Sequence, residues 1–124
     1  MNPWREALRR KCHVQIAEQG SHPHGAFLHL AEVGDKTTVP LLIAALRWQE
    51  APTEHEGQKL VDCTTVHCLE ALEALTGESF GFDPDRWEKW WKETGRDLAP
   101  EHFRPRATTR APADAARKDP DPRR

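Results

Sequence analysis

The chain has 124 residues, which is enough for one compact domain. Apolar residues make up 37% of it, and the formal net charge is −2. Because no segment approaches the roughly 18 consecutive apolar residues of a membrane helix, and the charge is not basic, we expect neither a membrane nor a nucleic acid as partner.

The first half of the chain has the apolar spacing of helices. Four residues recur at every fourth position and predict one buried side for a helix over residues 3–19: Trp4, Leu8, Cys12 and Ile16. A short helix follows, with Phe27, Leu28, Leu30, Ala31 and Val33 as its apolar set. Gly34 and Asp35 predict a turn. A third helix over residues 37–48 would bury Val39, Leu42, Ala45 and Leu46.

The second half contains two further helical segments. Residues 49–58 are polar and predict a loop, and a fourth helix is predicted over residues 58–76 with an apolar seam of Val61, Thr65, Cys68, Leu72 and Leu75. A fifth helix starts at Asp83 and Pro84, where Asp83 suits the N-cap, and Trp87, Trp90 and Trp91 follow at helical spacing. No segment has the alternation of a strand.

The composition changes near residue 99. Residues 1–98 carry 11 basic and 16 acidic residues, whereas residues 99–124 carry 7 basic and 4 acidic ones together with five of the ten prolines. We therefore predict an all-α domain over residues 1–98 and a disordered tail over residues 99–124. Three cysteines and the lack of a secretory signal favour the cytoplasm.

Two segments resemble a known family. Residues 30–46 contain Leu30, then Gly34-Asp35, then Val39-Pro40, Leu42-Ile43 and Ala45-Leu46. This order is similar to the hinge of bacterial HEAT-like repeats, the class that includes the phycobilisome-lyase type. Residues 76–91, with Thr76-Gly77, Phe80-Gly81 and the closing tryptophans, are similar to the last segment of many bacterial HEAT-repeat proteins.

The resemblance implies a short HEAT-like array of about five helices, with the tryptophan-rich helix as its terminal cap. HEAT arrays bind partners on extended helical faces. A tetrapyrrole chaperone related to the lyase type is a further alternative, which no residue here favours beyond the fold.

Candidate partner-binding residues are the tryptophans and an acidic segment. The closing tryptophans are expected to close the core, but Trp90 and Trp91 are adjacent on a helix and cannot point the same way, so one of them is expected to be partly exposed. Tryptophan is enriched in binding hot spots. We therefore select Trp90, Trp91 and Trp48, together with the acidic residues Glu50, Glu54 and Glu56. The acidic residues would suit a basic partner.

The alternative is a metal-binding protein or enzyme built on cysteines and histidines. Cys63 and His67 are four apart on one helix side, with Cys68 beside them, and Cys12 and the N-terminal histidines could add ligands. A structural zinc site takes four ligands, and no Cys-x-x-Cys or His-Glu-x-x-His motif is present. The interpretation that we favour is a non-enzymatic protein-interaction module without metal or cofactor, which acts as an adaptor, accessory or immunity-type protein.

Overall fold

The computed structural model describes residues 3–105, and their fold is all-α. Five helices follow one another along the chain: α1 Pro3–Ala17, α2 His24–Val33, α3 Thr38–Leu46, α4 Cys63–Thr76 and α5 Pro84–Glu93. A short hairpin of β1 Thr53–His55 and β2 Gln58–Leu60 separates α3 from α4. Two 3₁₀ turns, Gly95–Asp97 and Pro100–Phe103, follow α5.

The helices pack in two rows. In the first row α1 contacts α3 and α3 contacts α5, and in the second row α2 contacts α4. Between the rows, α1 packs on α2 and α3 packs on α4. The core lies between the rows and consists mainly of fully buried side chains of α2, α3 and α4: Phe27, Leu30, Val39, Leu42, Leu46, Leu72 and Leu75. Burial of these large apolar side chains is the main stabilising term.

The predicted seam of α1 is partly wrong. Cys12 and Ile16 are buried and Leu8 is half-buried, but the side chain of Trp4 is 69% exposed. A step of four residues overshoots a 3.6-residue turn by roughly 40°, so three steps rotate Trp4 by roughly 120° from Ile16. Helix α1 ends at Ala17. Gly20 follows with a φ of +82°, which confirms the prediction that this glycine helps to terminate the helix.

The turn at Gly34 and Asp35 is confirmed, and its chemistry explains these residue types. A Cβ on Gly34 would lie 2.6 Å from the Leu30 carbonyl oxygen, so only glycine fits. The Asp35 carboxylate accepts a hydrogen bond from the Thr37 amide at 3.0 Å, and the Asp35 amide donates to Thr38 Oγ1 at 3.0 Å. These bonds fix the entry into α3.

The predictions of a plain loop over residues 49–58 and a helix from residue 58 are wrong. The hairpin turns at Glu56 and Gly57, whose φ values of +52° and +80° fit the two-residue hairpin turn that needs positive φ at both positions. Helix α4 begins only at Cys63, because the Asp62 carboxylate caps it by accepting from the Thr64 amide at 2.7 Å. Both strands are exposed on both faces, so the sequence lacks the apolar alternation that would predict them.

The start of the predicted tail is also wrong for residues 99–105. Pro100–Phe103 forms a 3₁₀ turn, and the Phe103 side chain is buried against Trp91 with ring centroids 5.9 Å apart. This large aromatic ring helps to order the short segment, since it buries apolar area that an Ala- and Pro-rich segment lacks. Residues 106–124 of the predicted tail lie outside the described residues.

Polar contacts hold the same segment on the domain. The Lys36 ammonium donates to the backbone oxygens of Arg96 at 2.7 Å and Leu98 at 2.6 Å, and His102 Nε2 lies 3.0 Å from the Thr76 carbonyl oxygen.

Within residues 3–105, no helix has the length and apolar character needed to cross a membrane.

Candidate functional site

A mainly apolar groove lies between α3 and α5. Its cavity volume is about 260 Å³. The lining residues come from one face of α3, from the residue pair that follows it, and from α5: Pro40, Ile43, Ala44, Arg47, Trp48, Glu88, Trp91 and Lys92. We call this cavity the Trp48–Trp91 groove, because two of the predicted binding residues form part of its walls.

Helical spacing explains how the sequence builds the groove. On α3, the lining residues Pro40, Ile43 and Ala44, with Arg47 after them, stand at intervals of three and four and so share one face. Ala44 is exposed and carries only a methyl group, which leaves room between the two helices.

The Trp91 side of the groove is held from behind. The half-buried Trp91 ring contacts Phe103 at 5.9 Å and Trp90 at 6.4 Å between ring centroids. A Cβ on Gly95 would lie 2.8 Å from Trp91 Cε3 and 2.6 Å from Trp90 Cζ3. The indole of Trp91 is therefore packed tightly on its inner side, and its outer side faces the groove.

The Trp48 side is held through the residue that follows it. The Trp48 side chain is 43% exposed, and its amide donates to the Ala45 carbonyl oxygen at 3.0 Å. Gln49 is buried and donates from Nε2 to the carbonyl oxygens of Ala45 at 2.9 Å and Ser21 at 3.1 Å. These bonds fix the chain beside Trp48 and leave its indole open to solvent.

Charged groups form one edge of the groove and neutralise one another. Arg47 donates to Asp85 at 2.7 Å and to Glu88 at 3.1 Å, and the Lys92 ammonium lies 3.7 Å from Glu88. The hydrogen bond to Asp85 raises the pKa of the Arg47 guanidinium, so the cation is retained. Such exposed ion pairs contribute little to stability, and their effect here is to orient the charged side chains along the edge of the groove.

Trp90 does not reach this groove. Its half-buried ring lies 6.4 Å from Trp87 and 6.3 Å from Phe80, and it lines a separate, open depression with Arg86. Trp87 itself is fully buried and donates from Nε1 to the Gly81 carbonyl oxygen at 2.9 Å. The two adjacent tryptophans thus point to different surfaces, and both are half-buried.

The three acidic candidates lie on the chain immediately after the groove. Glu50, Glu54 and Glu56 are exposed, and Glu54 pairs in register with Lys59 across the hairpin. The Glu50 carbonyl oxygen accepts a hydrogen bond from Thr65 Oγ1 at 2.8 Å, which ties the base of the hairpin to α4. They do not line the groove itself.

Two histidines of the metal alternative, His24 and His67, come together with ring centroids 4.5 Å apart, but within residues 3–105 they and the cysteines do not form a ligand set. Cys68 is buried, its Sγ lies 3.7 Å from the Leu42 carbonyl oxygen, and burial raises the pKa of its thiol. Cys63 is exposed, whereas the His67 ring contacts Glu70 at 3.0 Å. Among residues 3–105, no three His, Cys, Asp or Glu side chains are arranged to hold a metal ion.

A larger depression of about 500 Å³ lies between α1 and α2. Lys11, Gln15, Glu18, Ser21 and His22 contribute to its lining, which is much more polar than that of the Trp48–Trp91 groove. We select the smaller groove because binding hot spots are apolar or aromatic pockets that exclude water.

Sequence reasoning selected Trp48 and Trp91 but missed the α3 face that joins them. The sequence does indicate this second face, because nearly every residue of α3 is apolar, which is more than one buried stripe requires.

No protein-family model, curated protein or solved structure matches this chain.

Proposed function

We propose that this chain is a non-enzymatic protein-binding module that takes an apolar side chain of a partner into the Trp48–Trp91 groove. The observation that carries the proposal is the meeting of two tryptophans, distant in sequence, in one apolar cavity. Trp48 keeps 43% of its surface exposed in the described domain. Buried aromatic anchors carry much of the free energy of protein association, and this groove offers such a place.

A HEAT-like array is part of the same proposal. Contacts between alternate helices within each row, and between the rows, are what stacked helix pairs of a repeat array require. The groove then lies between neighbouring helices of the first row, α3 and α5. An adaptor or accessory protein would present such a face to its partner.

The test uses peptides selected from a random display library against the full-length chain. In Ala44→Arg, a long side chain on an exposed helical position fills the groove without changing the core. Ala7→Arg makes the same substitution at an exposed position of α1 and is the matched control. We expect Ala44→Arg to weaken binding of the selected peptides at least about tenfold, which corresponds to roughly 1.4 kcal/mol.

Equal binding to wild type and to both variants would place the binding surface elsewhere. A selection that yields no binder at low or moderate salt would contradict the proposed function itself.

A further inference from the structure

The hairpin segment that follows Trp48 in the chain carries excess negative charge. Residues 49–62 hold four carboxylates, Glu50, Glu54, Glu56 and Asp62, and one lysine, Lys59, so their formal net charge is −3. The strands expose both faces, and Glu56 and Gly57 at the turn are exposed as well. This charge is displayed to solvent rather than used in the core.

Groove and hairpin lie within reach of one ligand. Trp48 lines the groove, and Glu50 is only two residues further along the chain. Glu54 lies six positions after Trp48, which is at most roughly 20 Å of extended chain. A short peptide segment can therefore occupy the groove with one side chain and reach the hairpin with its neighbours.

The cations at the groove do not oppose a basic ligand. Arg47 and Lys92 both lie against Glu88, and Arg47 also binds Asp85. The edge of the groove is close to neutral, so the hairpin dominates the local field.

We infer that the occupant of the groove is a segment of a partner protein with one large apolar side chain flanked by lysine or arginine. This inference rests on the proposed function of the groove. The apolar side chain packs between Trp48 and Trp91, and the cations face the carboxylates of the hairpin. A second copy of this chain fits less well, because its basic segment, residues 99–124, contains one large apolar residue, Phe103, and that side chain is buried.

The two parts of the site contribute differently. The apolar contact supplies most of the affinity, whereas the exposed charges raise the association rate and select against acidic segments. The charge contribution is screened as salt increases, since the Debye length falls from roughly 30 Å at 0.01 M to roughly 8 Å at 0.15 M.

The experiment measures binding of three synthetic peptides to the full-length chain by fluorescence anisotropy. The peptides share one large apolar side chain and differ only in carrying lysine, glutamine or glutamate at the flanking positions. We expect the lysine peptide to bind about tenfold more tightly than the glutamine peptide at low salt, and the glutamate peptide to bind most weakly.

Two charge-neutralising triple variants locate the effect. Glu50→Gln, Glu54→Gln and Glu56→Gln together should bring the lysine peptide down to the affinity of the glutamine peptide. The control replaces Glu18, Glu32 and Glu101, which are exposed elsewhere, by glutamine and makes the same change in net charge. This control variant should still bind the lysine peptide more tightly than the glutamine peptide, with most of the wild-type difference.

The other outcomes separate the two proposals. If the three peptides bind equally and Ala44→Arg abolishes the binding of all three, the groove binds proteins but the inference about charge is wrong. If no peptide binds, both proposals fail. If light scattering shows a dimer that Ala44→Arg dissociates, the groove belongs to a second copy and the inference is overturned.

Discussion

Phe103 and Trp91 pack edge to face, with ring centroids 5.9 Å apart and planes inclined at 67°. Phe103 belongs to the 3₁₀ turn Pro100–Phe103, and Trp91 forms a wall of the Trp48–Trp91 groove. The segment after α5 therefore supports the groove from behind, and a change at Phe103 should reach the groove through Trp91.

Phe103→Ala should test this support. Removing a fully buried phenylalanine should lower the free energy of unfolding by about 3–5 kcal/mol, measured by urea denaturation. Peptide binding should weaken as well, because the Trp91 indole loses its inner contact. Phe103→Leu retains apolar volume and should lose much less stability. Unchanged stability in Phe103→Ala would show that the segment does not pack on the domain in solution.

The hairpin turn should be stabilised by Glu56→Asn. Glu56 has a φ of +52°, which costs most side chains roughly 1–2 kcal/mol, whereas asparagine tolerates it better. Asn-Gly is also the preferred pair for this turn. We expect slower hydrogen exchange of the hairpin amides and a gain of up to about 1 kcal/mol. Glu54→Asn, within strand β1, is the control and should give no gain.

Gly95→Ala should destabilise the aromatic cluster. The added Cβ would lie 2.6–2.8 Å from the Trp90 ring and 2.8 Å from Trp91 Cε3, so both indoles of α5 would have to shift. We expect a loss of about 1–3 kcal/mol in thermal or urea unfolding. In the matched Gly25→Ala the new methyl group meets nothing within 4 Å and lies in helix α2, so stability should be equal or higher. Similar losses in both variants would contradict this packing.

His13 should make stability depend on pH. Its Nε2 lies 2.7 Å from Thr38 Oγ1, and burial lowers the pKa of the imidazole, with Arg9 acting in the same direction and Asp35 opposing it. Between the folded pKa and the unfolded value of 6.5, the unfolded chain binds more protons. The contribution of neutral His13 to the free energy of unfolding is therefore complete above pH 6.5 and is lost as the pH falls through the folded pKa.

The check compares wild type with His13→Gln, which can still bond to Thr38. The free energy of unfolding of wild type should fall relative to the variant as the pH decreases below about 6.5. Parallel curves from about pH 7.5 to about pH 5 would show that His13 does not titrate with folding.

The helices were predictable where their spacing is unambiguous. In the predicted seam of α4, Thr65, Cys68, Leu72 and Leu75 alternate steps of three and four and are all buried. The prediction is wrong for Val61, which is exposed because α4 begins only at Cys63. The constant step of four in α1 drifts around the helix, which is why Trp4 is exposed. The hairpin escaped prediction because its strands bury nothing and its turn uses Glu-Gly.

The groove could be predicted only in part. Composition and residue type selected Trp48 and Trp91, but these residues belong to separate elements, and no local pattern shows that α3 and α5 are neighbours. Phe103 was assigned to the tail because a single aromatic residue carries no periodicity. Gln49 was overlooked because a polar residue after a helix gives no sign of being buried.

The most direct test of the binding groove uses the indole N–H signals of the five tryptophans. Each signal is assigned by a Trp→Phe variant, and a selected peptide is then titrated into the full-length chain. We expect the Trp48 and Trp91 signals to shift, while those of the fully buried Trp87 and of Trp4 on α1 stay in place. Shifts confined to Trp4 or Trp90, with Trp48 and Trp91 unchanged, would contradict the assignment of the groove as the binding site.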